Sequence, residues 1–229
     1  MIEFLFLDLD DTILDFHKAE RLAIAKTFRG FGIEPTDAVL QRYSVINKEC
    51  WHKLELGEWT REQVLVRRFE RLFGEYNIVC DGEQVARAYE KNLSIGHYFL
   101  PGAEEAVASL SKKYRLFLAS NGTASVQKGR MTSANLYRFF EKVFVSQELG
   151  YNKPAPEFFR EAIAQIPDFD PKKAMMVGDS LTSDILGGNN AGFLTCWVNP
   201  NHAPANPEIP ADYEIEALSQ LEVLLETLA

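Results

Sequence analysis

Two aspartates, Asp8 and Asp10, stand two residues apart directly after a short apolar run, in the segment Asp8-Leu9-Asp10-Asp11-Thr12. Strand side chains alternate faces, so positions two apart at a strand end project the same way and can converge on one ligand. Two adjoining carboxylates repel and raise each other's pKa unless a cation neutralises them. Magnesium suits such a site: it prefers carboxylate, carbonyl and water oxygens, and it keeps open positions for a substrate phosphate. In that setting Asp8 can attack phosphorus as a nucleophile, while Asp10 protonates the leaving oxygen and later activates water. The bland alternative is a polar turn in which Asp10, Asp11 and Thr12 cap the next helix.

Three further segments carry side chains of the same chemistry. In Ser120-Asn121-Gly122-Thr123 the Ser120 hydroxyl can donate to a phosphoryl oxygen, with Asn121 and the backbone N–H groups around Gly122 as additional substrate contacts. In Asn152-Lys153-Pro154-Ala155-Pro156, Pro154 biases Lys153 away from helix and Pro156 suits a first helical position. Lys153 then sits just ahead of a helix, where its ammonium can neutralise Asp8 and bind the transferring group. In Gly178-Asp179-Ser180-Leu181-Thr182-Ser183-Asp184, Asp179 falls where a third metal ligand is needed and Asp184 can orient the site from behind. Taken singly, each has an ordinary reading: a turn for Ser120, a solvated surface for Lys153, a helix cap for Asp179. All four in one chain order favour the chemical one.

The elements that must position these groups follow from the apolar pattern. Short, nearly continuous apolar runs at 4–9, 116–120, 142–146, 174–179 and 194–198 read as strands buried on both faces. Helix-length amphipathic segments at 102–113, 125–140, 156–165 and 181–190 separate them. This alternation predicts an α/β fold with a doubly wound parallel sheet, whose ligands sit beyond the carboxyl ends of the strands. Between about His17 and Gly96 no strand is evident, only four helical stretches, with Thr36 as a start signal and a capping-box pattern at Thr60 and Gln63. Val64, Leu65, Phe69, Leu72 and Phe73 recur at helical spacing there. The expected organisation is a catalytic core of 1–15 and 98–229 interrupted by a helical domain over 16–97. Within that domain His17, Trp51, His52, Lys53 and Trp59 are candidates for substrate selection, with Trp51 and Lys53 taken as substrate contacts. The competing reading places aromatic residues in its core and Lys53 on its surface.

Composition closes off other classes. The 229 residues are 46% hydrophobic and 25% charged, far from the composition of disordered chains. A net charge of −9 argues against a nucleic acid polymer as partner, and no uncharged apolar stretch approaches the ~18 residues of a membrane span. Cys50, Cys80 and Cys196 are odd in number and unpatterned, which gives no support for a disulfide framework. The cytoplasm is the expected compartment, and a monomer or small homo-oligomer the expected state.

These motifs, taken together and across nearly the whole chain, resemble the haloacid dehalogenase superfamily of phosphohydrolases. Asp8-Leu9-Asp10-Asp11-Thr12 matches its first motif, Ser120 its second, Lys153 its third, and Asp179 with Asp184 its fourth. The resemblance implies a Rossmann-like core with a helical cap placed as here. It implies Asp8 as nucleophile and magnesium ligand, Asp10 as general acid/base lending a backbone carbonyl to the metal, and Asp179 as the remaining protein ligand. The dehalogenase branch is disfavoured, because it lacks the second acid that Asp10 provides. The sequence is also similar to members acting on pyrimidine 5′-monophosphates, so a small phosphorylated metabolite is the expected substrate. A phosphosugar mutase would use the same Asp8 and Asp10, and product analysis separates it. A phosphoacceptor signalling module also gathers acids, a hydroxyl and a lysine, but bears its acceptor on a later strand of a shorter chain. An idle scaffold would have lost some of these residues.

Overall fold

A computed structural model of the chain describes residues 1–228, which fall into two compact units: Met1–Phe16 with the chain from His97 onward, and His17–Gly96. The first is built on six parallel strands: β1 (Phe4–Leu7), β2 (Arg115–Ser120), β3 (Lys142–Val145), β4 (Ala174–Gly178), β5 (Leu194–Val198) and β6 (Tyr213–Ile215). They are ordered β3-β2-β1-β4-β5-β6. β1 explains the arrangement in miniature. All four of its residues are fully buried, and they alternate Phe-Leu-Phe-Leu. Phe4 and Phe6 enter an aromatic layer with Phe117, Phe144, Phe158 and Phe159, while Leu5 and Leu7 enter an aliphatic layer with Leu116, Leu118, Val107 and Leu221. A strand covered on both faces has no polar side, hence the unbroken apolar run.

The helical unit contains α2 (Asp37–Glu55), α3 (Arg61–Tyr76) and α4 (Gly82–Leu93), preceded by α1 (Phe16–Gly30). Thr36 caps α2, and Thr60 with Gln63 forms a capping box on α3. The unit packs around Phe28, Tyr43, Phe69, Phe73 and Tyr89, with a buried polar chain in which Arg68 donates to Asn47 and Asn47 to Glu20. Around the sheet lie α5 (Ala103–Leu110), α6 (Ala124–Ser133), α7 (Ser146–Leu149), α8 (Pro156–Ile163), α9 (Leu186–Ala191) and α10 (Leu221–Thr227).

Several elements differ from the sequence reading. The helix expected over 125–140 stops at Ser133, because Asn135 turns left-handed at φ 53°; a 3₁₀ turn, Tyr137–Phe139, follows. The helix expected from Leu181 opens with a π-helical turn, Leu181–Ile185, before α9. Strand β6 was not expected. The runs at 4–9 and 174–179 end as strands at Leu7 and Gly178, so Asp8 and Asp179 lie just past the sheet. No helix among the described residues is long and apolar enough to cross a membrane, and the three cysteines are free.

Register decides where the polar groups emerge. Leu7 pairs with Leu118 on one side and Val177 on the other, so the ends of β1, β2 and β4 fall at one edge. The strand order also reverses there: the chain runs outward from β1 through β2 to β3, then returns to the opposite side of β1 with β4. A crevice at such a reversal is where open α/β sheets take ligands.

Candidate active site

Asp8 is the first residue past β1, and its backbone N–H still donates to the Val177 carbonyl at 2.9 Å. Its Oδ1 accepts from Lys153 Nζ at 2.7 Å. Lys153 is 1% exposed, and the same ammonium donates to Asp184 Oδ1 at 2.7 Å and to the Ala119 carbonyl. A flexible lysine reaches this position because its backbone is clamped. Asn121 Oδ1 accepts from the Lys153 N–H and Asn121 Nδ2 donates to the Lys153 carbonyl, both at 2.8 Å. Asn121, expected as a substrate contact, spends both ends of its amide holding the lysine segment, with Ser183 Oγ a further acceptor at 3.3 Å.

The fourth segment supplies two more acids with different tasks. Ser180, not Asp179, caps the turn that follows β4: its hydroxyl accepts from the Ser183 N–H at 3.2 Å. Asp179 is thereby relieved of capping, and its carbonyl is pinned by Trp197 Nε1 at 2.8 Å. Asp184 is engaged on both oxygens, by Lys153 on Oδ1 and by the Ser180 N–H on Oδ2 at 3.1 Å. Gly178 makes room for it, since a Cβ there would lie 2.2 Å from Asp184 Oδ2. One oxygen each of Asp8, Asp179 and Asp184 lie within 4.8 Å of one another.

Charge in this cluster is unbalanced. Three carboxylates share one ammonium in a largely dehydrated pocket. Burial pushes the Asp8 carboxyl up to about 7, with Asp184 and Asp10 adding to the push and Lys153 opposing it. Burial, then the charges of Asp184, Asp8 and Asp11, hold Asp179 well above the ordinary carboxylate range. Burial would depress Lys153, but Asp184 and Asp8 outweigh it and raise the ammonium's pKa. Carboxyls held above their ordinary range are the mark of a site short of positive charge. A hard divalent cation taking oxygen ligands fits the deficit, with Asp8 and Asp179 as its carboxylates because Asp184 is already committed.

Asp10 has its own partners. β1 ends at Leu7 and the three-acid group contains Asp184, while the charge of Asp10 still acts on Asp8. Asp10 Oδ2 accepts from Gln127 Nε2 at 2.7 Å, and Oδ1 accepts from Arg130 Nη1. Gln127 Nε2 also donates to Ser120 Oγ at 2.8 Å, and the Gly122 N–H reaches the same hydroxyl at 3.1 Å. Gly122 thus acts through its backbone, and a Cβ on it would stand 2.3 Å from Gln127 Nε2. Gln127 and Arg130, both buried on α6, escaped the sequence reading. The available signal was their spacing: they lie three apart on the face that also buries Val126 and Met131. The remaining acid, Asp11, caps α1, accepting from the Phe16 N–H at 2.9 Å.

Trp51 and Lys53 belong to α2 in the helical unit. The Trp51 ring faces the Arg61 guanidinium at 5.4 Å. Lys53 pairs with Glu58 at 3.4 Å and lies 4.9 Å from the Trp59 ring, which Arg67 also approaches at 5.0 Å. His52 meets Glu55 at 3.5 Å.

A sheet that reverses its strand order over a buried Asp–Lys–Asp cluster defines a phosphohydrolase-like α/β core, and comparison with known proteins agrees. The chain belongs to the haloacid dehalogenase-like hydrolase family, whose model matches residues 2–192. A crystal structure of the HAD-hydrolase YfnB from Bacillus subtilis, bound to magnesium, superposes with a TM-score of 0.94 at 38% identity and covers 98% of both chains. Among curated relatives, the pyrimidine 5′-nucleotidase PynA of Streptococcus pneumoniae is 36% identical over 96% of this chain and 93% of its own. The pyrimidine 5′-nucleotidase YjjG of Escherichia coli is 29% identical over 97% of each.

Proposed function

We propose that the protein is a magnesium-dependent phosphatase of small phosphate monoesters, a pyrimidine nucleoside 5′-monophosphate foremost, acting through an aspartyl-phosphate at Asp8. The observation that carries this reading is the Asp8 carboxylate just past β1, paired with a buried lysine and flanked by a second acid that no helix cap occupies. The magnesium bound to YfnB and the names of PynA and YjjG support it.

Asp8 and Asp179 would hold the cation, which when bound neutralises the acids and the phosphoryl oxygens. An Asp8 oxygen attacks phosphorus, the bond from phosphorus to the alcohol oxygen breaks, and Asp10 gives that oxygen its proton. Lys153 and the Ser120 hydroxyl stabilise the charge on the transferring group. Asp10 then takes a proton from the water that attacks the aspartyl-phosphate, which releases inorganic phosphate and restores Asp8. Choice of leaving group is assigned to the helical unit, with Trp51 and Lys53 as candidates.

The test is a phosphate-release screen over nucleoside monophosphates, sugar phosphates and short phosphorylated acids, with and without magnesium. Release should need the metal, favour pyrimidine nucleotides and vanish in Asp8→Asn. Turnover that survives Asp8→Asn in purified protein removes the nucleophile, and transfer of phosphate to a second sugar position in place of release makes the protein a mutase.

A further inference from the structure

We propose that Gln127 is a positioning residue of this reaction: one side-chain amide, steered by Arg130, fixes the Asp10 carboxylate and leaves the Ser120 hydroxyl only its proton to offer. The proposal rests on the phosphatase reading above and adds to it two residues, Gln127 and Arg130, to which no role has been given.

An amide nitrogen carries two hydrogens, and here both are used, one on Asp10 Oδ2 and one on Ser120 Oγ. The amide cannot sit the other way round. Its oxygen faces Arg130 Nη1 at 3.3 Å, and an oxygen turned toward the Asp10 carboxylate would place acceptor against acceptor. Arg130 holds the opposite carboxylate oxygen as well, so Asp10 is gripped at both oxygens by donors from a single helix. Gln127 and Arg130 are 1% and 0% exposed, and their rotamers are therefore set by packing.

The consequence for Ser120 is one of valence. A hydroxyl has two lone pairs and one proton. Gln127 Nε2 and the Gly122 N–H occupy both lone pairs, at 2.8 and 3.1 Å. The proton is what remains, which suits a hydroxyl meant to donate to an anionic phosphoryl oxygen. Gly122 belongs to the same device, because any side chain there would displace the amide.

Leaving-group chemistry separates positioning of Asp10 from mere structural support. The leaving group of p-nitrophenyl phosphate departs without a proton near neutral pH, whereas the alkoxide of a nucleoside 5′-monophosphate does not. Gln127→Met keeps the side chain's length and removes its donors, and Gln127→Glu keeps its shape and replaces the donors with an acceptor; Asp10→Asn is the reference. Each Gln127 variant is expected to lose about 10- to 100-fold in kcat/KM on the best-used nucleoside monophosphate, a share of the ~10²–10⁴ that a positioned acid contributes, and about 10-fold less than that on the aryl ester, where only the share of the Ser120 hydroxyl is lost. In the Asp10→Asn background either change should add no more than it costs on the aryl ester. Equal losses on both esters, or full additivity with Asp10→Asn, overturn the proposal and leave the phosphatase reading intact. If Asp10→Asn itself slows both esters alike, or wild-type protein turns over neither, the reading fails and the proposal falls with it. Should Gln127→Met not fold, the isosteric Gln127→Glu carries the same comparison.

Discussion

Removing the buried ammonium with Lys153→Met isolates the electrostatic logic of the site. Lys153 is the common partner of Asp8 and Asp184, at 2.7 Å from each. Breaking a buried ion pair from one side costs about 3–5 kcal/mol, because the surviving charge is left without compensation. For a chain of this size each kcal/mol shifts the melting temperature by about 2–4 °C, so the full effect is roughly 6–20 °C. It should not appear in full at every pH. The folded Asp8 carboxyl stands at about 7 against an ordinary 3.8, and loss of Lys153 raises it further. A carboxyl raised in the folded state contributes stability that is present below its unfolded value and lost as pH rises through its folded value. Below about pH 7 Asp8 is protonated in both proteins and adds nothing to the difference. Above it, wild type carries a paired carboxylate, while the variant must keep its proton or bury an unpaired charge. Thermal melts of metal-free protein should therefore show a deficit near pH 6, from lost packing and from Asp184 left without its cation, that widens toward pH 9 as Asp8 ionises in wild type. Magnesium at about 100 times its dissociation constant should restore roughly 2.7 kcal/mol at the higher pH. A deficit of the same size at both pH values would refute the reasoning, since the ionisation of Asp8 would then play no part in what Lys153 contributes.

Other perturbations reach the same cluster or test the helical unit. Because burial holds the Asp8 and Asp179 carboxyls above the ordinary range, protons compete with a cation there, and the rise in melting temperature on adding magnesium to wild type should be larger at pH 8 than at pH 5.5 and absent in Asp179→Asn, read by differential scanning fluorimetry. Gly178→Ala drives a methyl to within 2.2 Å of Asp184 Oδ2 and should cost about 1–3 kcal/mol together with most of the activity, measured by denaturant melts and phosphate release. Arg68→Met strips the donor from Asn47 beside buried Glu20, whose carboxyl burial already raises. It should destabilise by about 3 kcal/mol, and by more at pH 8 than at pH 5 as Glu20 ionises without its cation.

The sheet was legible because strands buried on both faces leave an unmistakable pattern, and Leu194–Val198 was bounded correctly from it. The element that escaped, Tyr213–Ile215, is three residues long at the sheet edge with exposed Glu214 at its centre. A strand with one neighbour and one buried residue has no apolar run to betray it. The helix break at Asn135 was readable in principle, since asparagine is among the few residues that turn left-handed readily, but a periodic apolar pattern on either side concealed it.

For the site, legibility followed the sheet. Asp8, Ser120 and Asp179 stand where apolar runs end, and Lys153 stands before a proline-marked helix, so each is announced by its neighbours. Gln127 and Arg130 are not. Their burial depends on Asp10, which lies 117 and 120 positions earlier, and without that partner a Gln and an Arg in a helix read as surface. The ordinary readings were themselves partly correct chemistry: in the first segment Asp11, one of the three residues read as a cap, does take the first N–H of α1, and in the fourth the cap is Ser180, one residue beyond Asp179. Each segment thus separates the residue that serves the backbone from the acid that serves the pocket. Neutralising Asp11 should therefore cost helix stability, about 0.5–2 kcal/mol, and spare the buried Asp8–Lys153 pair. Neutralising Asp8 should do the reverse, because its carboxylate caps nothing.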